Sequence, residues 1–443
     1  MRKLLVMILA LCLCVSAAGA ASVTATVLDL PETVSYVDMD IDSGRLIVTD
    51  SEKDVKWLAD ADLNRLSDDC ADLNDISYSK FRFYTDKGLT SCGLMDADGN
   101  ILVPAEYADA RGIGDTDRWA AGFLLADGTE DDYDYYSFGL FVDNSNRKYY
   151  RIETVDLYYK GAKVASLSRD EWGDGIPKGD YLVLKSRDGR YAWYDKDFVK
   201  SAVRELSEFN YDKERNVIHS GSGQAAFCPE CTLTEDNVLR SVWMSSDNKL
   251  LDLRGNVLGD FSEYYSAHYD DDLGMVTVND ENWKYGIADL TGKLIVPIVY
   301  DSIYAGDDTK KLGWVRVEKD GKEGFVNLAT GEETGFVFEA FSGRSSGGFL
   351  WKEDPDKGNC LLICAAAGEM PERYKKVEDK GPYMLVTKAD DTIHLIDICG
   401  KDMLPEDAYL GESVLCSKDG TLIMTKMHDE EGKVVYTVYR IAE

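Results

Sequence analysis

A serine in a short glycine-flanked string is the first candidate for chemistry. Residues 343–347 read Gly-Arg-Ser-Ser-Gly and fit the G-x-S-x-G pattern of a nucleophile elbow around Ser345. Such an elbow needs a strand before the serine and a helix after it, so that the hydroxyl faces a base. Residues 347–351 read Gly-Gly-Phe-Leu-Trp and predict a turn and then a strand. The four histidines are scattered along the chain, so this string does not by itself predict a hydrolase.

Two acidic clusters could offer oxygen ligands to Ca²⁺, a hard cation that takes about 6–8 of them. One consists of Asp131, Asp132 and Asp134, and the other is the alternating run at residues 38–42. The run does not fit an EF-hand loop, because residue 43 is Ser where that loop requires Gly and residue 49 is Thr where it requires Glu. Solvated hairpin ends are the simpler interpretation, and calcium at the Asp131 cluster is the stronger of the two metal hypotheses.

Carboxylates and tyrosines are also abundant enough to suggest sugar chemistry. Glycoside hydrolysis needs two carboxyl groups about 5–9.5 Å apart in a cleft. With 81 acidic residues in the chain, however, a pair of them is uninformative. Alternating aromatic residues in strands more often pack between layers than form a platform for a ligand. A propeller-type glycoside hydrolase or other secreted hydrolase is therefore the alternative to a non-enzymatic binding protein.

Residues 1–20 have the features of a cleavable secretory signal. Arg2 and Lys3 precede an apolar run, and small residues then lead to Ala20. We expect cleavage near Ala20, a mature chain of residues 21–443, and a secreted or extracytoplasmic location. No later segment is uniformly apolar over the about 20 residues that a transmembrane helix requires.

Eight of the ten cysteines lie beyond the predicted signal, and an even number in an exported chain permits disulfides. Cys228 and Cys231 have the spacing of a redox motif or of half a zinc site, but no second such pair accompanies them. A local disulfide or two buried thiols is the better interpretation. No cofactor is expected apart from the calcium hypothesis.

The formal net charge of −32 restricts the classes of partner. An acidic surface repels phosphate backbones and anionic headgroups, since nucleic-acid binding depends on Lys and Arg neutralising phosphates. Nucleic acid and anionic membranes are therefore poor partners, whereas an extracellular protein or glycan remains open. The same surface could also attract cations.

The elements that would position these residues belong to a repeat. Residues 285–301 read YGIADLTGKLIVPIVYD, which predicts a strand, an Asp-x-x-Gly turn and a second strand. The turn recurs at Asp96/Gly99, Asp252/Gly255 and Asp397/Gly400, and in a longer form at Asn327/Gly331. A Pro-x-x-Tyr pair follows it at residues 104–107, 297–300 and 371–374, with a looser copy at 405–409. The turn glycines at positions 255, 292, 331, 368 and 400 are separated by 37, 39, 37 and 32 residues, a period typical of propeller blades and solenoid turns.

Other segments of the sequence predict further short strands and little helix. Residues 275–278, 314–317 and 383–386 are strand candidates, so that one repeat carries three or four strands. Only residues 55–66 and 201–209 have helical periodicity, and either could be a turn in a loop. We expect Gly292, in its turn, to resist replacement more than Gly347, in a glycine pair.

The repeat resembles the WG-repeat (KWG repeat) family of bacterial secreted repeat proteins. Lys284-Tyr285-Gly286 stands where that family has Lys-Trp-Gly, and residues 322–324 and 91–93 fill the same place more loosely. No copy in this chain keeps the Trp. Because the family name denotes a repeat and not an activity, the resemblance implies an architecture with a binding or scaffolding role.

We therefore predict an all-β fold, a β-propeller-like array of three- to four-stranded repeat units, with a β-solenoid as the alternative. The mature chain is expected to be a single all-β repeat domain, with longer, diverged repeats over about 21–240 and clearer WG-like repeats over about 241–443. The predicted function is that of a secreted, non-enzymatic binding or scaffolding protein that presents loops to an extracellular partner.

Overall fold

The computed structural model describes residues 22–77, 79–113, 118–125, 152–168, 171–178, 180–186, 191–204, 242–245, 247–251, 256–270, 273–305, 309–337, 341–345, 347–354, 356–404, 413–429 and 432–442. Within these ranges the protein is almost entirely β-structure, and the one helix is the four-residue α1 (Thr309–Leu312). No helix in the described ranges is long and apolar enough to cross a membrane.

The strands form ten small antiparallel sheets that follow one another along the chain. The first five contain β2 (Val34–Met39), β3 (Leu46–Asp50) and β4 (Val55–Ala59); β5 (Asp72–Ser77), β6 (Lys80–Tyr84), β7 (Cys92–Asp96) and β8 (Ile101–Tyr107); β9 (Asp109–Gly112), β10 (Trp119–Leu125), β11 (Ile152–Tyr159) and β12 (Ala162–Ser168); β13 (Trp172–Lys178), β14 (Tyr181–Ser186), β15 (Tyr191–Tyr194) and β16 (Lys200–Arg204); and β17 (Trp243–Met244), β18 (Lys249–Leu251) and β19 (Val257–Asp260).

The other five contain β20 (Ser266–Asp270), β21 (Met275–Asn279), β22 (Tyr285–Ala288) and β23 (Leu294–Tyr300); β24 (Ser302–Tyr304), β25 (Trp314–Lys319), β26 (Lys322–Asn327) and β27 (Glu333–Gly335); β28 (Gly343–Ser345), β29 (Phe349–Asp354), β30 (Asn359–Cys364) and β31 (Gly368–Tyr374); β32 (Lys376–Asp379), β33 (Met384–Thr387) and β34 (Ile393–Ile396); and β35 (Ser413–Cys416), β36 (Leu422–His428) and β37 (Val434–Ala442) together with β1 (Ser22–Val27).

The two ends of the chain meet in the last of these sheets. Strand β1 pairs along its whole length with β37, from Ser22 opposite Ala442 to Val27 opposite Thr437. The same sheet packs on the first one, where Met424 and Tyr436 share a buried core with Val37. Closure of this kind covers strand edges that an open array would expose. The fold is therefore the predicted β-propeller-like array and not a solenoid, whose ends stay apart.

Buried apolar side chains join neighbouring sheets in the same way along the array. Leu58 of β4 packs with Phe81 of β6, and Val296 of β23 packs with Val315 of β25. Sheets β13–β16 and β17–β19 are separated by residues 205–241, which lie outside the described ranges. The predicted division into longer and clearer repeats stays a prediction, because residues 126–151 lie outside them as well.

The Asp-x-x-Gly turns are confirmed. Gly99, Gly292 and Gly400 have φ of 80°, 96° and 75°, and each donates its N–H to the carbonyl of the aspartate three residues earlier. The side chain of Asp289 accepts the N–H groups of residues 291 and 293 at 2.9 and 3.1 Å. The acid thus satisfies backbone donors that the turn would otherwise leave unpaired. The Asp252/Gly255 copy lies outside the described residues.

The Pro-x-x-Tyr tyrosines are core residues at the end of the hairpin. Tyr107, Tyr300 and Tyr374 are 2%, 1% and 1% exposed. A Cβ at Gly122 would lie 2.6 Å from the Tyr107 ring, so a strand of the next sheet has to carry glycine there. The copy at residues 405–409 lies outside the described part of the chain.

Two expectations from the sequence are corrected. Residues 55–66 are not helical, because residues 55–59 form β4, which pairs with β3, and the segment after it continues with an isolated bridge between Ala59 and Arg65. Likewise, Lys200–Arg204 is strand β16, while residues 205–209 lie outside the described ranges. In both segments pairing with a neighbouring strand overrides weak helical periodicity.

The expected order of the two glycines is also wrong. A Cβ at Gly347 would lie 1.7 Å from the carbonyl oxygen of Gly381, whereas one at Gly292 would lie 2.8 Å from that of Asp260. Contact between the backbones of two sheets, which sequence does not show, makes Gly347 the more constrained position.

Candidate functional site

Ser345 ends strand β28 and is 7% exposed. As predicted, a turn and then strand β29 follow it, so the helix of a nucleophile elbow is absent from these described residues. The Ser345 hydroxyl donates to Asp379 Oδ1 of the next sheet at 2.8 Å and accepts the N–H of Gly347 at 3.0 Å. The Ser345 hydroxyl proton is thus donated to the Asp379 carboxylate, and this hydrogen bond links two sheets.

Ser345 lies on the wall of a cavity of about 190 Å³ between the sheets β24–β27 and β28–β31. The cavity is smaller than the about 300–1,000 Å³ typical of pockets for whole small molecules. It has the size of a recess for one side chain or one small group. The residues around it are Tyr304, Ala305, Thr309, Trp314, Arg316, Phe325, Arg344, Ser345 and Gly348. We call this cavity the inter-sheet pocket.

Two arginines of the inter-sheet pocket share one buried carboxylate. Arg344 Nε contacts both oxygens of Glu323, at 2.7 and 3.0 Å, and its Nη2 also donates to that carboxylate. Arg316 Nη1 lies 3.3 Å from Glu323 Oε2. Hydrogen bonding from Arg344 holds the pKa of Glu323 below its ordinary value despite burial. Two guanidinium groups thus share the Glu323 carboxylate, and the charge of Glu318 also acts on Arg344.

Tyr304 and Arg344 form the accessible mouth of the inter-sheet pocket. Tyr304 is 38% exposed, and the guanidinium of Arg316 lies over its ring at 4.1 Å from the centroid. The Tyr304 hydroxyl donates to Glu318 Oε2 at 3.2 Å. The side chain of Arg344 is 40% exposed, although it contacts Glu323. Arginine and aromatic side chains of this kind are those that most often anchor protein–protein contacts.

A second cavity of about 470 Å³ lies between the sheets β2–β4 and β5–β8 and has Cys70 in its wall. Burial raises the pKa of the Cys70 thiol to about 11. The thiolate is the reactive form of cysteine, so this thiol is unreactive near neutral pH. The cavity therefore has volume and a mixed polar and apolar lining, but its thiol is not an activated nucleophile.

A third arrangement, which the sequence analysis missed, places a threonine, a histidine and an aspartate in a row. His394 contacts Asp402 through Nδ1, and its Nε2 lies 2.9 Å from Thr392 Oγ1. The Thr392 hydroxyl also donates to Asp390 Oδ1 at 2.6 Å. Its proton therefore points to a carboxylate and not to the imidazole. The i, i+2 spacing of Thr392 and His394 at the start of β34 was the available signal, but Asp402 comes from a bridge beyond the next turn.

Of the two acidic clusters predicted as possible calcium sites, one lies within the described residues and the other lies outside them. Asp131, Asp132 and Asp134 lie outside the described residues. In the run at residues 38–42, Asp40 accepts the N–H groups of Asp42 and Ser43 at 3.2 and 2.9 Å, so it serves the β2–β3 turn. Within the described ranges no three His, Cys, Asp or Glu side chains come together as a metal site would require.

The cysteines that the structure describes are free thiols, and only Cys399 among them is exposed. Cys228 and Cys231 lie outside the described residues, so the hypothesis of a local disulfide stays a prediction.

Comparison with known proteins confirms the predicted resemblance for one repeat. Residues 285–322 match the family described as WG containing repeat. No curated relative matches the chain. Among solved structures, BamB from Moraxella catarrhalis has 13% identity over 66% of this chain and 89% of that one, with a TM-score of 0.24. The C-terminal WD40 domain of Sif2 has 11% identity over 94% of this chain and 97% of that one, with a TM-score of 0.24. Our assignment of the fold rests on the order and closure of the sheets.

Proposed function

We propose that this repeat protein is an exported, non-enzymatic binding protein, and that the inter-sheet pocket receives a side chain of an extracellular partner. The observation that carries the proposal is the mouth formed by Tyr304, Arg316 and Arg344. Guanidinium groups next to an aromatic ring can donate hydrogen bonds to a partner's carboxylate or amide oxygen and pack against its apolar part. The secretory features of residues 1–20 support export.

The arrangement of the nucleophile-like side chains supports the non-enzymatic part of the proposal. Ser345 donates to Asp379, the Cys70 thiol is protonated, and Thr392 donates to Asp390. Nucleophilic catalysis requires a base that accepts the nucleophile's proton, with donors for the developing oxyanion nearby. In these three places the described residues supply a structural hydrogen bond or a buried thiol instead.

The test combines an activity screen with a binding experiment. The purified mature chain should give no turnover above background on ester, peptide and glycoside substrates. Immobilised wild-type protein should retain a partner from the exported protein fraction of its source, and Arg344→Ala should weaken that retention. Arg344→Lys should restore it only in part, because Lys lacks the planar fork.

Two results would contradict the proposal. One is turnover of a screened substrate that is abolished by Ser345→Ala, His394→Ala or a single carboxylate substitution, which would establish the hydrolase alternative. The other is partner retention that Arg344→Ala leaves unchanged while the variant keeps the wild-type melting temperature, which would remove the inter-sheet pocket from the function.

A further inference from the structure

The fourth position of the repeat's turns is occupied by glycine in some copies and by bulky residues in others. Leu63, Leu89, Phe198 and Trp283 have φ of 65°, 54°, 57° and 60° there. Each donates its N–H to the carbonyl of the aspartate three residues earlier, at 3.0, 3.1, 2.9 and 3.1 Å. A large side chain at positive φ is uncommon and strained, whereas glycine adopts this conformation without cost. Packing of the side chain against the fold can offset this strain.

Two of the four bulky residues offset the strain by packing. Leu63 packs against the core between the last and first sheets, and Phe198 packs against the core of the β9–β12 and β13–β16 sheets. The Phe198 ring also stacks on Tyr194, with centroids 4.1 Å apart and an interplanar angle of 9°. The strain at these two turns is offset within the fold itself.

Leu89 and Trp283 are 46% and 61% exposed, so neither offsets the strain by packing of this kind. What distinguishes Trp283 is its exposed aromatic ring. Its ring contact is with Tyr265, which is itself 58% exposed, at a centroid distance of 5.6 Å and an angle of 66°. Tyr265 immediately precedes β20 and Trp283 lies in the β21–β22 connection, so both lie at the same end of one sheet. Two large aromatic rings are therefore exposed side by side, and Trp and Tyr are among the residues enriched at binding interfaces. We call these two residues the aromatic pair.

The surroundings of the aromatic pair are acidic. Glu263 lies two residues before Tyr265, and Asp280 and Glu281 belong to the turn of Trp283. The neighbouring cation, Lys284, contacts Asp301. Elsewhere, arginine side chains lie over the rings of Trp57 and Tyr304. Among the described residues no arginine or lysine lies over either ring of the aromatic pair, so these rings can accept a cation from a partner.

We propose that the aromatic pair is a second binding site, independent of the inter-sheet pocket, which takes an arginine- or lysine-rich segment of a partner protein. Guanidinium and ammonium groups are attracted to the faces of Trp and Tyr rings. The flanking carboxylates, and the formal charge of −32 on the chain, favour the same partner over an acidic one. The site lies at the end of its sheet that carries the β21–β22 connection. The inter-sheet pocket belongs to the next two sheets, where it lies at the connections between the first and second strands.

The test uses a fluorescein-labelled hexa-arginine peptide and the mature chain, with the dissociation constant measured by anisotropy at physiological salt. Trp283→Gly should weaken binding about tenfold, which is within the range of cation–π contacts. Its melting temperature should equal or exceed that of the wild type, because glycine relieves the positive φ. Trp283→Phe should lie between the two in affinity.

A matched control is available at the same turn position. Phe198→Gly should lower the melting temperature, because that ring is packed, and should leave peptide affinity unchanged. None of these variants removes a charge, so the general attraction between an acidic protein and a basic peptide is the same in all of them. Arg344→Ala removes one positive charge from the inter-sheet pocket, so it should not lower peptide affinity, and this result separates the aromatic pair from that pocket.

Three outcomes would overturn the proposal. They are no binding of the peptide by the wild type, equal affinity of Trp283→Gly and the wild type, or binding of neutral chitohexaose that depends on Trp283 in the absence of peptide binding. The last would assign the aromatic pair to a glycan.

Discussion

Gly347 offers the sharpest test of how closely neighbouring sheets approach each other. Replacing it by alanine would place a Cβ 1.7 Å from the carbonyl oxygen of Gly381, 2.8 Å from its carbonyl carbon and 3.3 Å from the Cα of Pro382. These atoms are backbone of the next sheet, so no side chain can rotate away. The two backbones have to separate by about 1.5 Å, and we expect a cost of about 3 kcal/mol, at the upper end of values for overpacked sites.

Gly358→Ala provides the control. Gly358 has φ of 61°, but a Cβ there would meet nothing within 4 Å. Its substitution should cost only the about 1–2 kcal/mol of a left-handed alanine. Thermal melting of both variants, followed by circular dichroism at a wavelength for β-structure, should therefore give a clearly larger loss for Gly347→Ala. An equal or smaller loss would refute the argument that contact between sheets, and not backbone conformation, constrains Gly347.

Three further predictions concern buried groups. The pKa of Glu323 is lowered in the fold from an ordinary value of 4.5, so its contribution to stability is complete above that pH and is lost as pH falls through the folded value. Melting temperatures of wild type and Glu323→Gln should therefore differ at pH 7 and converge towards acid pH. Tyr107→Phe removes a hydroxyl that donates to buried Asp156 at 2.8 Å and should cost about 1–2 kcal/mol in urea unfolding. Burial raises the pKa of the Cys416 thiol to about 12, so iodoacetamide should label exposed Cys399 much faster in native protein, as peptide mass mapping will show.

The hairpins could be predicted from sequence because their determinants are local. In an Asp-x-x-Gly turn the aspartate carboxylate, the backbone donors and the positive φ all lie within five residues, as at Asp289 and Gly292. The buried Pro-x-x-Tyr tyrosines could be placed for a related reason, since an apolar ring at the end of an alternating strand has a defined face. Local chemistry of this kind repeats wherever the motif repeats.

Closure and the contents of the pocket could not be predicted, because they join residues far apart in the chain. The β1–β37 pairing brings Ser22 opposite Ala442, and the Glu323 carboxylate meets Arg344 across two sheets. Asp402 is only eight residues from His394, but their contact depends on how the intervening turn brings the chain back to the strand. The turn at Trp283 could not be predicted for another reason, because the Asp-x-x-Gly motif has glycine at the fourth position and this turn does not.

Some positions of the repeat are fixed by its turns and its core and others are free to vary, which explains why binding surfaces can arise on it. Each turn is closed by its own aspartate, and each sheet is stabilised by apolar residues shared with its neighbours, as Val296 and Val315 are. The residue at the fourth turn position then has to do no more than tolerate a positive φ. Leu63 uses that freedom to extend a core, whereas Trp283 directs an aromatic ring to solvent. A fold whose stability is spread over many small interfaces can bear the strain of one such turn, so new contacts can be added at single positions without a new active site.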